Sequence, residues 1–153
     1  MSEILFRGKS LKDNEWVEGY YCRYGFTGEE KDYIIPDYAS ALYGVEVNSN
    51  TIGQFTGLTD KNDVKIFNGD ILQGDIYPYW SDGDYNYYAE VIWFDNNCCG
   101  FGLYTHKNPK SAVRGISDGN CEWLDDFDSE NWTVIGNIFD NPELITEQEE
   151  NNE

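Results

Sequence analysis

Short runs of aromatic and β-branched residues recur along this 153-residue chain, each ended by residues that let a backbone reverse. They cover Glu15–Cys22, Asp32–Ile35, Val64–Phe67, Asp70–Gln73, Ala89–Phe94 and Trp132–Phe139. Such runs suit a pleated, half-buried surface better than a helix. Between the runs stand Asn68-Gly69, Asp82-Gly83, Asn96-Asn97 and Asp118-Gly119, and Gly and Asn tolerate the positive φ of tight turns. Many short strands with this punctuation predict an all-β sandwich or barrel. In Ala89–Phe94 apolar residues fill nearly every position, which predicts cover on both faces, as at the centre of a small barrel. Asn68-Gly69 predicts either a hairpin with a primed turn or a sharp kink, with Asp70 accepting backbone hydrogen bonds in the turn it follows.

Two segments depart from the strand pattern. Asn120–Phe127 carries Trp123, Leu124 and Phe127 at helical spacing behind a capping Asn120, which predicts a short helix. Asp140–Ile145 offers Asn141 as N-cap, Pro142 at the first helical position and Glu143 at the positive end of the dipole. That helix is short, and Leu144 and Ile145 would pin it down. Beyond it, Glu147–Glu153 has no apolar side chain to bury and is expected to be mobile.

Charge narrows the functional classes. Ten Lys and Arg oppose 29 Asp and Glu, a net charge of −19, yet 16% aromatic residues supply the area that a folded core needs. After Arg114 there is no basic residue, and residues 115–153 hold twelve acids. So acidic a surface repels nucleic-acid phosphate and anionic lipid, so neither direct nucleic-acid binding nor membrane binding is expected. The Met1–Arg7 segment lacks a secretory apolar core, and no run approaches a membrane span, so a soluble cytoplasmic protein is expected. Cys22, Cys98, Cys99 and Cys121 read as reduced core thiols: no C-x-x-C pair anchors a zinc site, and His106 is the one histidine. No metal or cofactor is expected.

Two longer stretches are more specific. Thr51–Ile71, with TGLTDKNDVKIFNGDI inside it, and Thr133–Ile145, with VIGNIFDNPELI, resemble the YopX-like family of phage and prophage proteins. Phe6–Lys9 and Trp16–Gly19 fit the same pattern, so the resemblance spans residues 6–145. Asp63 stands where the family usually has glycine, implying a somewhat different turn, and Asn68 stands where it usually has an acid, which argues against an essential carboxylate there. The resemblance implies an SH3-like small barrel preceded by an additional β region, and no catalytic residue comes with it.

The densest aromatic cluster is Tyr77-Pro-Tyr-Trp-Ser-Asp-Gly-Asp-Tyr-Asn-Tyr-Tyr88. Tyr77, Tyr79, Trp80, Tyr85, Tyr87 and Tyr88 flank a turn, and such rings either seal a barrel mouth or form a protein interface, with ligand stacking as the rarer use. Asp60–Asp63 and Asp125–Glu130 fail the calcium-loop test, since Val64 and Lys65 fall where a ligand and glycine belong. His106, at a loop-like exit from a strand, lacks triad partners at recognisable spacing, and no glycine-rich phosphate loop is present.

The expected protein is mainly β: residues 1–52 an N-terminal β region, 53–139 an SH3-like barrel with a short helix near 120–127, and 140–153 a short helix with an acidic tail. Its expected role is that of a phage accessory protein acting through protein contact or self-assembly as a homo-oligomer. An acidic mimic of nucleic acid that occupies host DNA-binding proteins is the alternative, and a hydrolase built on a carboxylate pair is the third.

Overall fold

The computed structural model describes residues 3–39, 43–74, 87–94, 100–107, 121–123 and 131–145. They form two open antiparallel sheets, and the chain divides into two compact units, Met1–Gly57 and Leu58–Glu153. No helix among these residues is long and apolar enough to cross a membrane.

The first unit holds β1 (Phe6–Lys9), β2 (Trp16–Tyr24), β3 (Lys31–Pro36), β4 (Val45–Glu46) and the start of β5 (Gly53–Thr59), in the order β4-β3-β2-β1-β5. Register is continuous from Phe6↔Gly19 through Tyr21↔Ile34 to Ile34↔Val45, so alternate residues of β2 share a face across the sheet. Leu5, Ile34 and Val47 are almost completely buried. Gly19 is required where it stands, because a Cβ there would run into the Ile35 carbonyl of the neighbouring strand. The turn Ser49–Thr51 is tied to β1 by the Thr51 hydroxyl, which accepts from the Lys9 N–H at 2.8 Å and donates to the Asn48 carbonyl at 2.7 Å.

The second unit begins within β5, which turns at Asp60–Val64 into its neighbour β6 (Lys65–Phe67). The other five strands are β7 (Asp70–Gly74), β8 (Tyr87–Phe94), β9 (Gly100–Lys107), β10 (Cys121–Trp123) and β11 (Trp132–Asn137), ordered β10-β9-β8-β7-β11. Their core is Ile66, Leu72, Ala89, Val91, Leu103 and Trp132, with Leu58, Phe101 and Val134 packed against it. Each fully buried Ile, Leu or Val contributes about 1.5–3 kcal/mol through water release.

The mainly β expectation holds, with five strands added to the six read from sequence. Several finer expectations do not. Neither sheet closes among the described residues: β10 and β11 are edges, so no SH3-like barrel is formed by these ladders. At β11 the place of a further strand is taken by a loop, where Asp60 accepts the Val134 N–H and the Lys61 N–H donates to the Trp132 carbonyl. Strand β8 is fully covered on one face only: Ala89 and Val91 are buried, whereas Tyr88, Glu90 and Ile92 on the other face are half-buried, and Trp93, at the end of the first face, is 46% exposed and meets Phe101 edge-on at 4.9 Å. Asn68-Gly69 makes the kink rather than the hairpin, since β6 and β7 join different sheets. Gly69 has φ +93°, and Asp70 accepts the Phe67 N–H at 2.8 Å, as expected of it.

The helix expected near 120–127 is extended at Cys121–Trp123, whose backbone pairs with Tyr104, Leu103 and Gly102. An available sheet edge outweighs a helical period only a few residues long. His106 lies within β9, opposite Tyr88, rather than at a strand exit. The C-terminal helix contracts to one 3-10 turn, Pro142–Leu144, and the Asn141 side chain does not cap it. Instead Asn141 Oδ1 accepts from the Asn137 N–H at 3.3 Å.

Candidate functional site

Strand β2 places Trp16, Glu18, Tyr20, Cys22 and Tyr24 on one face, because its pairing with β1 and β3 runs without a bulge. The same register brings Arg7 and Lys9 from β1 and Lys31, Tyr33 and Ile35 from β3 to that face. The opposite face carries the buried Ile34 and Asp32. One side of the sheet is packed around Ile34 and Asp32, although Tyr21 at its rim is 37% exposed, and the other is an aromatic row that water reaches from Tyr20 to Tyr24, with Arg7 buried near its start.

Contacts within the row fix its rings. Trp16 has the Arg7 guanidinium 4.6 Å and the Lys9 ammonium 5.3 Å from its ring centroid. Eight residues along the strand, Tyr24 stacks on Tyr33 with centroids 4.3 Å apart and planes 16° from parallel. Desolvation raises the Tyr33 phenol above its ordinary value, and the neighbouring Tyr24 adds to this. Tyr20 is 49% and Tyr24 56% exposed, and Phe26, just past the strand, is 84% exposed. Cys22 lies half-buried as a free thiol across from Tyr33.

The strand ends in an open hollow of about 570 Å³ lined by Tyr24, Gly25, Phe26, Glu29, Glu30, Lys31 and Tyr33. Gly25 and Gly28 both have positive φ, which lets the chain turn sharply there. The Gly28 N–H donates to Glu30 Oε2 at 3.0 Å, which fixes that carboxylate on the loop. The Lys31 ammonium lies 3.7 Å from the Glu46 carboxylate on β4.

On the packed face Tyr21 donates its hydroxyl hydrogen to Asp32 Oδ1 at 2.5 Å, and Arg23 lies 3.8 Å from the same oxygen. That hydrogen bond, followed by burial, holds the Tyr21 phenol above its ordinary value. The arrangement braces β2 on β3. The open face can stack on planar groups and accept cations.

Tyr77, Tyr79, Trp80 and Tyr85 lie outside the described residues. Tyr87 and Tyr88 open β8, opposite Lys107 and His106, and Tyr88 is half-buried. Among the described residues no group of three His, Cys, Asp or Glu gathers into a metal-binding set. The β2 row went unread in the sequence, although Trp16, Tyr20 and Tyr24 recur at even spacing, which places them on one face of any strand.

Two open antiparallel sheets among the described residues, with an exposed aromatic strand face and turns fixed by buried carboxylates, define a mainly β protein. The chain belongs to the YopX family: the family model described as YopX protein matches residues 5–146. A crystal structure of protein EF1440 from Enterococcus faecalis is similar, with 24% identity, 95% of this chain and 100% of that chain covered, and a TM-score of 0.49. Curated proteins return no match.

Proposed function

We propose that this chain is a phage or prophage accessory protein that works by binding another protein chain, with the open face of β2 and β3 as its contact surface. One observation carries the reading: Tyr20, Tyr24 and Phe26 are 49%, 56% and 84% exposed around a preformed ring stack. Exposed aromatics side by side are costly in water and are enriched at protein interfaces, where rigid rings bring large area with little entropy loss. The stack of Tyr24 on Tyr33 supports the reading further, since ordering that a partner would otherwise impose is already in place. The Tyr77–Tyr88 segment is a second candidate surface of the same kind.

The test compares wild type with Tyr20→Ser/Tyr24→Ser and with Trp80→Ala/Tyr87→Ala, by light scattering and by capture from host lysate. Loss of a partner, or of a larger assembly, in the first variant supports the reading. Unchanged mass and unchanged capture in the first variant would remove it, and loss in the second variant alone would move the contact surface to the Tyr77–Tyr88 segment.

Charge distribution favours a second reading. Residues 58–153 hold twenty acids and five bases, against nine acids and five bases in residues 1–57. A polyanionic segment would be steered toward a basic cleft, as an acidic mimic of nucleic acid requires. Capture of host DNA-binding proteins that fades as salt rises toward about 0.3 M would support it, because screening shortens such attraction.

A further inference from the structure

We propose that the hollow at the end of the β2–β3 hairpin is a receptor for an arginine side chain presented by a basic segment of a partner protein. The inference rests on the contact reading above and names the chemistry of the partner.

The lining combines two attractions for a planar cation. Tyr24, Phe26 and Tyr33 supply aromatic rings: Tyr24 and Tyr33 stack on each other and so keep one face each, and Tyr24 and Phe26 are largely exposed. A guanidinium over such a face is drawn by the ring quadrupole and also stacks on it. Glu29 and Glu30 supply charge, and the hydrogen bond from the Gly28 N–H to Glu30 Oε2 holds one carboxylate in the loop before a ligand arrives. Of the lining residues only Lys31 is basic, and its ammonium is directed to Glu46 at 3.7 Å, which lowers its repulsion of an entering cation. Trp16 on the same face already carries the Arg7 guanidinium at 4.6 Å, so this sheet face displays the same interaction within the chain.

Shape and net charge choose among occupants. The hollow is about 570 Å³ and open, which suits a side chain projecting from a peptide better than an enclosed metabolite. A second copy is a poor occupant, since 29 acids against ten bases give like-charged surfaces. A lysine lacks the flat fork that can lie on Tyr24 while it pairs with a carboxylate.

The experiment titrates the full-length chain with a blocked Gly-Arg-Gly-Arg-Gly peptide and follows backbone amide shifts by NMR. Parallel titrations use peptides with citrulline or lysine in place of arginine. Expected are shifts centred on Gly25, Gly28 and Lys31, about a ten-fold loss with citrulline, and a smaller loss with lysine. Glu29→Gln/Glu30→Gln and Phe26→Ala should each weaken the arginine peptide several-fold while the remaining spectrum stays in place. Equal affinity for the citrulline peptide, shifts located elsewhere, or no saturable binding would overturn the inference. If arginine fails while the Tyr20→Ser/Tyr24→Ser variant still loses its partner, the arginine receptor is wrong and the contact reading survives. If arginine binds here while that variant keeps its partner, the hollow takes arginine but the partner does not dock through it, and both the contact reading and the receptor role fail.

Discussion

Asp60 Oδ2 accepts the backbone N–H of Val134 at 2.9 Å, joining positions 74 residues apart. Its other oxygen accepts from Asn62 N–H at 2.8 Å and Val64 N–H at 3.0 Å, so one carboxylate that is only 3% exposed satisfies three backbone donors. This single side chain shapes the β5–β6 turn and occupies the edge of β11. It ties the two stretches that resemble the family to each other in space.

Asp60→Ala should therefore cost about 2–4 kcal/mol, since three donors lose their acceptor and at least one is left buried. Asp60→Asn, which keeps one acceptor oxygen, should cost less. Urea unfolding midpoints check the order. An alanine variant within 0.5 kcal/mol of wild type, roughly the scatter of ordinary surface changes, would contradict the account of this turn.

Gly136 follows the bulge in β11 and sits against the Asn141 side chain, so that an added Cβ would overlap it. Gly136→Ala should destabilise by about 1–3 kcal/mol, the usual cost of overpacking. Asn141→Ala in the same chain removes the obstruction, so the double mutant should recover part of that loss despite the missing Asn137 N–H bond. Purely additive losses in the cycle would argue against this contact.

Asp63 has φ +63°, a left-handed backbone that glycine adopts freely and that asparagine and aspartate tolerate. The family's usual glycine and this aspartate thus meet the same demand, and the different turn expected from the substitution is not needed. Asp63→Gly should stay within about 0.5 kcal/mol of wild type, whereas Asp63→Val should cost about 1–2 kcal/mol. Equal tolerance of both, read by thermal unfolding, would contradict the strained position.

Alkaline stability tests the packed face. The Tyr21 phenol is raised above its ordinary value of 10.0 by the hydrogen bond to Asp32 and then by burial. Between the unfolded and folded pKa the folded state holds the extra proton, so this stabilisation is whole below pH about 10 and is lost as pH rises through the folded value. Tyr21→Phe should flatten that alkaline fall, and it should remove a late-titrating phenol from the ultraviolet titration. An unchanged slope would place the pH dependence elsewhere.

How much of this was legible beforehand depends on the range of the interaction. The six aromatic and β-branched runs marked strands because local composition is a local signal. Phe6–Lys9, Gly53–Thr59 and Gly100–Lys107 were not read as strands, since each contains one or two glycines and depends on neighbours for its pairing. At Cys121–Trp123 a helical period was overruled by the edge of β9, a partner that sequence does not reveal. Asp70 was read correctly because its hydrogen bond spans three residues, whereas the reach of Asp60 to Val134 spans 74. The aromatic row was hidden for a different reason: its spacing was visible, but which face of β2 stays open is decided by β1, β3 and the burial of Ile34.

A photoreactive phenylalanine analogue placed singly at Tyr20, Tyr24 or Tyr21, and irradiated in the host cell, tests the contact surface most directly. Tyr20 and Tyr24 project from the aromatic face of β2, and Tyr21 between them, itself 37% exposed, projects from the opposite face. Covalent capture of the same partner from positions 20 and 24, with little from 21, is the predicted result. Capture from 21 alone, or none from either open-face position, would contradict a function exercised through this face.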